Sequence, residues 1–102
     1  MAHYAFVQDV PIEEDVYRKI REKLGPEPLP GSLVHLVVRQ PDGRLRYIDV
    51  WESEEACARA FAERIHPAVF AVLQEIGGRP DGEPSRELLD LVDMTLAPSK
   101  AG

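Results

Sequence analysis

The fold is decided by residues 33–51, which read LVHLVVRQPDGRLRYIDVW. Two runs rich in β-branched, leucine and aromatic residues flank the tripeptide Pro41–Gly43. A three-residue loop that ends in glycine is typical of a hairpin built on a type I turn with a bulge. The sequence therefore predicts two antiparallel strands in which Gln40 pairs with Arg44.

This register divides the side chains of the hairpin between the two faces of a sheet, and it places His35 opposite Asp49. One face is aliphatic: Val34, Leu36, Val38, Ile48 and Val50. The other face is mixed: Leu33, His35, Val37, Tyr47, Asp49 and Trp51. Leu33 is expected to pair with Trp51. A slip of one residue would separate His35 from Asp49, because it exchanges the two faces.

The two faces predict how the domain assembles. We expect the helices of the chain to cover the aliphatic face. The mixed face carries Trp51 and Tyr47 and is too apolar to remain in water. We therefore expect a second copy of the chain to cover the mixed face, which makes the protein a homodimer.

Helical patterns lie on both sides of the hairpin. A short strand over residues 4–10 precedes an amphipathic helix in which apolar residues recur every four positions between residues 12 and 24. After the hairpin, Ser53 is a good N-cap for a second helix, which Pro67 interrupts. Residues 88–96 fit a helix or a strand, and periodicity does not decide between them.

The order of these elements predicts an α+β fold. If residues 88–96 form a strand, the pattern is the ferredoxin-like βαββαβ arrangement, with a four-stranded antiparallel sheet. At 102 residues, of which 44% are hydrophobic, the chain is expected to form a single domain over residues 1–102.

Charge and composition exclude several classes of protein. The net charge of −6 argues against binding to nucleic acid or to an anionic membrane, since both need clustered Lys and Arg. Cys57 is the single cysteine, so neither an internal disulfide nor a cysteine-based zinc site is expected. The longest apolar run, residues 68–73, is too short to span a membrane. Without a signal-peptide pattern, we expect a soluble, cytoplasmic protein.

Parts of the sequence resemble the dimeric α/β-barrel superfamily, and within it the antibiotic-biosynthesis-monooxygenase-like group. The matching stretches are Ser32-Leu-Val-His35, Asp49-Val-Trp-Glu-Ser-Glu-Glu-Ala56, and Pro67 followed by Gly77. The resemblance covers the chain from about Tyr4 to Gly77. It implies that residues 88–96 form a strand, and that two ferredoxin-like sheets pair face to face as a dimeric α/β barrel.

The resemblance also implies a range of activities. Members of the superfamily include cofactor-independent monooxygenases, isomerases, haem-degrading enzymes and proteins without demonstrated activity. Haem-degrading members carry a Trp and, ten residues later, a His on the second helix; here that helix has no Trp, and its only His is His66. Quinone-forming members commonly use an Asn, and this chain contains none. The missing Asn removes one expected participant and leaves oxygen chemistry open. The resemblance thus implies a protein that needs no cofactor and binds a small aromatic or polyketide-like molecule, as a monooxygenase or an isomerase.

The candidate catalytic residues are His35 and Asp49, because a carboxylate beside an imidazole orients it as a general base. The candidate ligand-binding residues are aromatic: Tyr47, Trp51, Phe61 and Phe70. No metal site is expected, since the three His residues have no ligand spacing. The alternative stays open that His35 and Asp49 only satisfy each other in a buried interface, in a structural or regulatory homodimer without a ligand pocket.

Overall fold

A computed structural model describes residues 3–78 and 84–97 of the chain. The strands are β1 (Tyr4–Val10), β2 (Ser32–Arg39), β3 (Leu45–Trp51) and β4 (Arg86–Leu89). The helices are α1 (Glu14–Leu24), α2 (Glu54–Ala60) and α3 (His66–Ile76), with a π-helical segment, Phe61–Ile65, between α2 and α3.

The four strands form one antiparallel sheet in the order β2-β3-β1-β4. This confirms the predicted α+β, ferredoxin-like βαββαβ fold. The ambiguous segment 88–96 is strand only where it overlaps β4, at its first two residues, and residues 90–97 have no regular secondary structure. Residues 88 and 89 are strand because β4 pairs with β1 at the edge of the sheet. The periodicity of the sequence did not decide between strand and helix.

The hairpin follows the predicted register except at its open end. The backbone N–H of Gln40 donates to the carbonyl of Arg44 over 2.8 Å, and Gly43 has a φ of 89°, which glycine adopts without strain. His35 faces Asp49 as predicted. The expected pairing of Leu33 with Trp51 is wrong, because a bulge between residues 32 and 34 gives Ser32 that place.

The helices cover the mixed face of the sheet, and the expectation that they cover the aliphatic face is wrong. On this face, Phe6 of β1 and Trp51 of β3 pack against Cys57 and Ala60 of α2, while Tyr17 of α1 lies against β2 and β3. The large aromatic side chains reach the helices and fill the space between the two layers. No second copy of the chain is therefore needed to bury Trp51.

None of these contacts with the helices involves the aliphatic face of the sheet. The strand registers put Ala5 and Val7 of β1 on this face, opposite Val50 and Ile48 of β3. Leu36 of β2 lies there too and is 50% exposed. The face turned away from α1 and α2 thus carries mostly short, branched side chains.

The second helical region is continuous in space although its hydrogen bonding changes along it. The Ser53 side chain accepts a hydrogen bond from the backbone of Ala56, which confirms the predicted N-cap. Pro67 has no backbone N–H to donate, and the π-helical turn over residues 61–65 comes directly before it. The predicted break is therefore a local widening of the helix that passes directly into α3.

Candidate functional site

The polar centre of the helix-covered face is the pair His35 and Asp49. They lie opposite each other on β2 and β3, and Nδ1 of His35 is hydrogen-bonded to Oδ1 of Asp49. Asp49 is only 3% exposed, whereas 35% of the His35 side chain is exposed. A buried carboxylate thus holds one edge of an imidazole whose other edge reaches toward the surface.

Tyr17 of α1 completes this polar group. Its hydroxyl lies 3.1 Å from Nε2 of His35, and the two rings stack with their centroids 6.2 Å apart. The sequence prediction missed Tyr17, although it lies beside the apolar stripe of α1. That position indicates that Tyr17 points toward the body of the protein, but not which strand residue it meets.

Tyr47 closes the group on β3. Its ring lies edge-on to both Tyr17 and His35, at centroid distances of 5.8 and 5.3 Å. Burial raises the pKa of the Tyr47 hydroxyl well above its usual value, and the nearby Tyr17 and Asp49 raise it further. Tyr47 therefore stays neutral at physiological pH, and its ring packs against His35.

The remaining ligand-binding candidates form a separate aromatic row that runs from the end of β3 through the π-helical segment to α3. Trp51 lies 6.2 Å from Phe61, Phe61 lies 5.6 Å from His66, and His66 stacks on Phe70 at 6.1 Å. Trp51 is 2% exposed, whereas Phe70 is 50% exposed. The row thus leads from the surface into the core, and it includes His66, which the sequence analysis did not place there.

Trp51 carries a polar atom with an unusual environment. Its Nε1 is buried and has no hydrogen-bond partner within the described residues. An unsatisfied buried donor costs about 1–3 kcal/mol. The indole N–H is thus an unused donor, and it lies enclosed in the core between β3 and α2.

Arg86 of β4 is a second residue that the sequence analysis missed. Its guanidinium lies between the rings of Phe6 and Phe61, at 4.7 and 4.5 Å, within the range of a cation–π interaction. It also donates to the hydroxyl of Tyr4 over 3.2 Å. No local pattern could have indicated this cluster, because Arg86 is distant in sequence from Phe6 and Phe61 and reaches them only when β4 pairs with β1.

Charged side chains surround the outer end of the polar group. Glu14 of α1 accepts hydrogen bonds from Arg18 on the same helix and from Arg39 on β2. These contacts tie the start of α1 to the strand that carries His35. Because α1 carries Tyr17 and β2 carries His35, these contacts also hold Tyr17 close to His35.

The arrangement suits proton transfer better than metal chemistry. Within residues 3–78 and 84–97, no group of three or more His, Cys, Asp or Glu side chains could hold a metal ion. The same residues contain no helix long and apolar enough to cross a membrane. The site offers an oriented imidazole, two phenols and, further along the same face, an unsatisfied indole N–H.

Solved structures with the same fold include a provisionally assigned antibiotic biosynthesis monooxygenase from Caulobacter crescentus. It shares 20% identity and a TM-score of 0.62 over 90% of this chain and 92% of that one. A second protein with the same provisional assignment, from Chloroflexus aurantiacus, shares 19% identity and a TM-score of 0.59 over 92% and 97% of the two chains. SnoaB, a cofactor-independent oxygenase from Streptomyces nogalater, shares 19% identity and a TM-score of 0.53 over 97% and 100%.

These likenesses show that the chain has the fold of the antibiotic-biosynthesis-monooxygenase-like proteins, as the sequence resemblance predicted. No family model matches the sequence, and no curated protein matches it significantly. At about 20% identity the shared property is the fold, and the activity of this chain has to be argued from its own residues.

Proposed function

We propose that this chain binds a small aromatic molecule with an acidic C–H or O–H group and removes a proton from it. In this proposal it acts as a cofactor-independent monooxygenase or as an isomerase. The observation that carries the proposal is the buried Asp49 carboxylate bonded to Nδ1 of a partly exposed His35. Such a pair orients the imidazole and stabilises the imidazolium that forms when it takes up a proton.

The first step would be the same for both reactions. A proton leaves a carbon beside a carbonyl group and passes to the His35–Asp49 pair, and the electron pair of the C–H bond stays on the substrate as an enolate. In an isomerase, the proton returns to another carbon of the same enolate. No oxidant is needed in that case.

In a monooxygenase, the enolate would react with dioxygen. Its carbon forms a bond to one oxygen atom and the other oxygen atom takes up a proton, which gives a hydroperoxide, and loss of water leaves a carbonyl group. The balance is R₂CH₂ + O₂ → R₂CO + H₂O, so that dioxygen is the oxidant and the substrate supplies all the electrons. The residues of the chain need only supply and accept protons.

Aromatic side chains on the same sheet face would hold the ring of the substrate. Tyr47 and Trp51 lie on either side of Asp49 along β3, and both point toward the helices. The unsatisfied Nε1 of Trp51 can donate to a carbonyl oxygen of the substrate, which would stabilise the enolate as charge develops on that oxygen.

A non-catalytic role is the second candidate. The contact that favours it is between Tyr17 and His35, because it gives the imidazole a partner on its second nitrogen as well. A buried pair that is fully hydrogen-bonded is also what a purely structural core requires. In that case the protein would be a structural or regulatory homodimer without a ligand pocket.

Both candidates include a homodimer, which we propose forms through the aliphatic face of the sheet. That face combines exposed apolar side chains such as Leu36 with an ion pair at the hairpin end, where Arg46 binds Asp9 over 2.7 Å. An apolar centre with a polar rim is the usual composition of a protein interface. A second copy of the sheet is the simplest cover, since it presents the same flat, aliphatic surface.

Dithranol, an anthrone whose CH₂ group lies opposite a carbonyl in the central ring, is a suitable probe for the activity. We expect the protein to accelerate dioxygen consumption and carbonyl formation, and His35→Gln to lower the rate by about 100-fold or more. Asp49→Asn should lower it less, because the imidazole remains. Arg59→Gln, at an exposed position of α2, is the control and should behave as wild type.

The measurement also separates the alternatives. An electrode trace that shows no dioxygen uptake, together with exchange of the CH₂ protons for deuterium in D₂O, indicates proton transfer without oxygenation. Equal rates for wild type and His35→Gln in both assays would contradict the proposed function.

A further inference from the structure

Both ring nitrogens of His35 are occupied. Asp49 lies at Nδ1 and the hydroxyl of Tyr17 lies 3.1 Å from Nε2. A substrate therefore cannot contact a nitrogen of His35 while these hydrogen bonds are in place. If the pair works as a base, the proton must reach it through Tyr17, or Tyr17 must leave.

The chemistry of the three groups fixes the direction of the hydrogen bonds. A carboxylate can only accept, so Nδ1 of His35 carries the hydrogen that is donated to Asp49. Nε2 then has a lone pair, and the Tyr17 hydroxyl donates to it. The oxygens of Asp49 are buried, whereas Tyr17 is only partly buried and its hydroxyl oxygen keeps lone pairs that the bond to His35 does not use.

We infer that Tyr17 is the residue that exchanges a proton with the substrate, and that Tyr17, His35 and Asp49 form a proton relay. This inference rests on the proposed function and names its acid–base atom. His35 and Asp49 become positioning residues in this arrangement, because they act through the Tyr17 hydroxyl.

The relay balances without any further reactant. The C–H bond of the substrate breaks as its proton bonds to the Tyr17 oxygen, and the O–H proton of Tyr17 passes to Nε2 of His35. The electron pair stays on the substrate as an enolate. The positive charge on the imidazolium is held by the Asp49 carboxylate, and the reverse transfer can return a proton to the enolate or to its oxygenated product.

The surroundings of Tyr17 suit this task. Arg18 and Arg21 lie near it on α1, His35 faces it from β2, and Tyr47 and Asp49 face it from β3. Partial burial raises the pKa of the Tyr17 hydroxyl, the charges of Arg21 and Arg18 lower it, and Asp49 raises it. Tyr17 thus stays protonated at neutral pH, as donation to His35 requires, while the two guanidinium groups stabilise any negative charge on its oxygen.

Tyr17→Phe is the first test, because it removes one oxygen and keeps the ring that packs against Tyr47. With dithranol as the probe, we expect a loss of about 100-fold or more in kcat. We expect the double variant Tyr17→Phe/His35→Gln to be no slower than the slower single variant, because members of one relay act as a unit. Wild-type activity in Tyr17→Phe would overturn the relay, and higher activity would indicate that Tyr17 only blocks His35.

A second test separates proton exchange from packing. Site-specific 3,5-difluorotyrosine at position 17 keeps the hydroxyl and lowers the phenol pKa. We expect a limb of the pH–rate profile to move to lower pH with it. A merely structural hydroxyl would leave the profile unchanged, and that result would also overturn the relay.

A third test needs no substrate. In ¹⁵N NMR spectra, His35 should show the hydrogen on Nδ1 and a hydrogen-bonded acceptor at Nε2, and Tyr17→Phe should shift only the Nε2 resonance. A hydrogen on Nε2 in the wild type would overturn the relay. A wild type that leaves dithranol unchanged contradicts the proposed function instead, so the two failures are distinguishable.

Discussion

The two faces of the sheet differ in chemistry and in what covers them. On the helix-covered face, Asp49 and Trp51 are almost fully buried, and polar and aromatic groups contact each other across β2, β3 and α1. On the opposite face, Leu36 is half exposed, although its surroundings are aliphatic. The face that is richer in polar groups is therefore the one that the helices cover.

This difference shows that the length of the side chains matters as much as their hydrophobicity for which face of the sheet the helices cover. Large groups such as Phe6 and Trp51 extend far enough to meet α2 and fill the layer between sheet and helices. Short branched residues such as Val7 and Val50 give a flat surface, which suits close packing of a second sheet. The chemistry that we propose therefore lies on the helix-covered face, and the assembly that we propose lies on the aliphatic face.

The largest expected effect follows from the burial of Trp51. Trp51→Ala should lower the free energy of unfolding by about 3–5 kcal/mol, because it leaves a cavity in the core between β3 and α2. Urea unfolding followed by circular dichroism would measure it. Trp51→Phe keeps an aromatic ring and removes the unsatisfied donor, so we expect it to cost clearly less than the alanine variant.

Phe70→Ala is the exposed control for this prediction, since Phe70 lies at the surface end of the same aromatic row. It should change the unfolding free energy much less than Trp51→Ala. If Trp51→Ala instead dissociated a dimer and left the unfolding of the monomer unchanged, the assignment of the two faces would be reversed.

The next effect concerns the aliphatic face. Leu36→Glu places a charge in the proposed dimer interface, and we expect the dissociation constant to rise by about 100-fold or more, which corresponds to roughly 3 kcal/mol. Sedimentation equilibrium would measure it, with circular dichroism to confirm that the variant is folded.

Leu88→Glu is the matched control. Leu88 is also an exposed leucine in a strand, but its register with Phe6 puts it on the helix side of the sheet. It should leave the dissociation constant unchanged. A wild-type chain that sediments as a monomer at micromolar concentration would contradict the dimer proposal as a whole.

The smallest expected effect concerns the ion pair between Arg46 and Asp9, at the rim of the aliphatic face. The hydrogen bond from Arg46, together with its charge, lowers the pKa of Asp9 below the usual 3.8. A lowered carboxyl pKa stabilises the fold above pH 3.8, and this contribution disappears as the pH falls through the lower, folded-state value. Asp9→Asn should therefore reduce the melting temperature slightly at pH 6 and not at pH 2, and a loss that stays the same at both pH values would contradict it.

Much of the fold could be predicted because its signals are local. The loop length between Gln40 and Arg44 sets the register of the hairpin, and the register alone brings His35 opposite Asp49. The Ser53 cap is likewise determined by a residue and its neighbours. The bulge that displaces Leu33 has no such signal; it lies at the beginning of β2, where the chain enters the strand from the preceding loop.

The candidate site was predictable only in part. His35 and Asp49 are close because they face each other on paired strands, but Tyr17 reaches them from a helix that begins after β1. Arg86 lies far from Phe6 and Phe61 in the sequence and meets them only through the pairing of β4 with β1. Contacts of this kind depend on how elements pack, which periodicity does not encode.

The sequence by itself determined the order of the elements up to the second helical region, the hairpin register near its turn and the pairing of His35 with Asp49, because each rests on spacing within a few residues or on an alternation of two. Only the tertiary structure decided which face of the sheet the helices cover. Helix packing depends on whole surfaces, and here the large side chains of Phe6 and Trp51 are the ones that pack against Cys57 and Ala60 of α2.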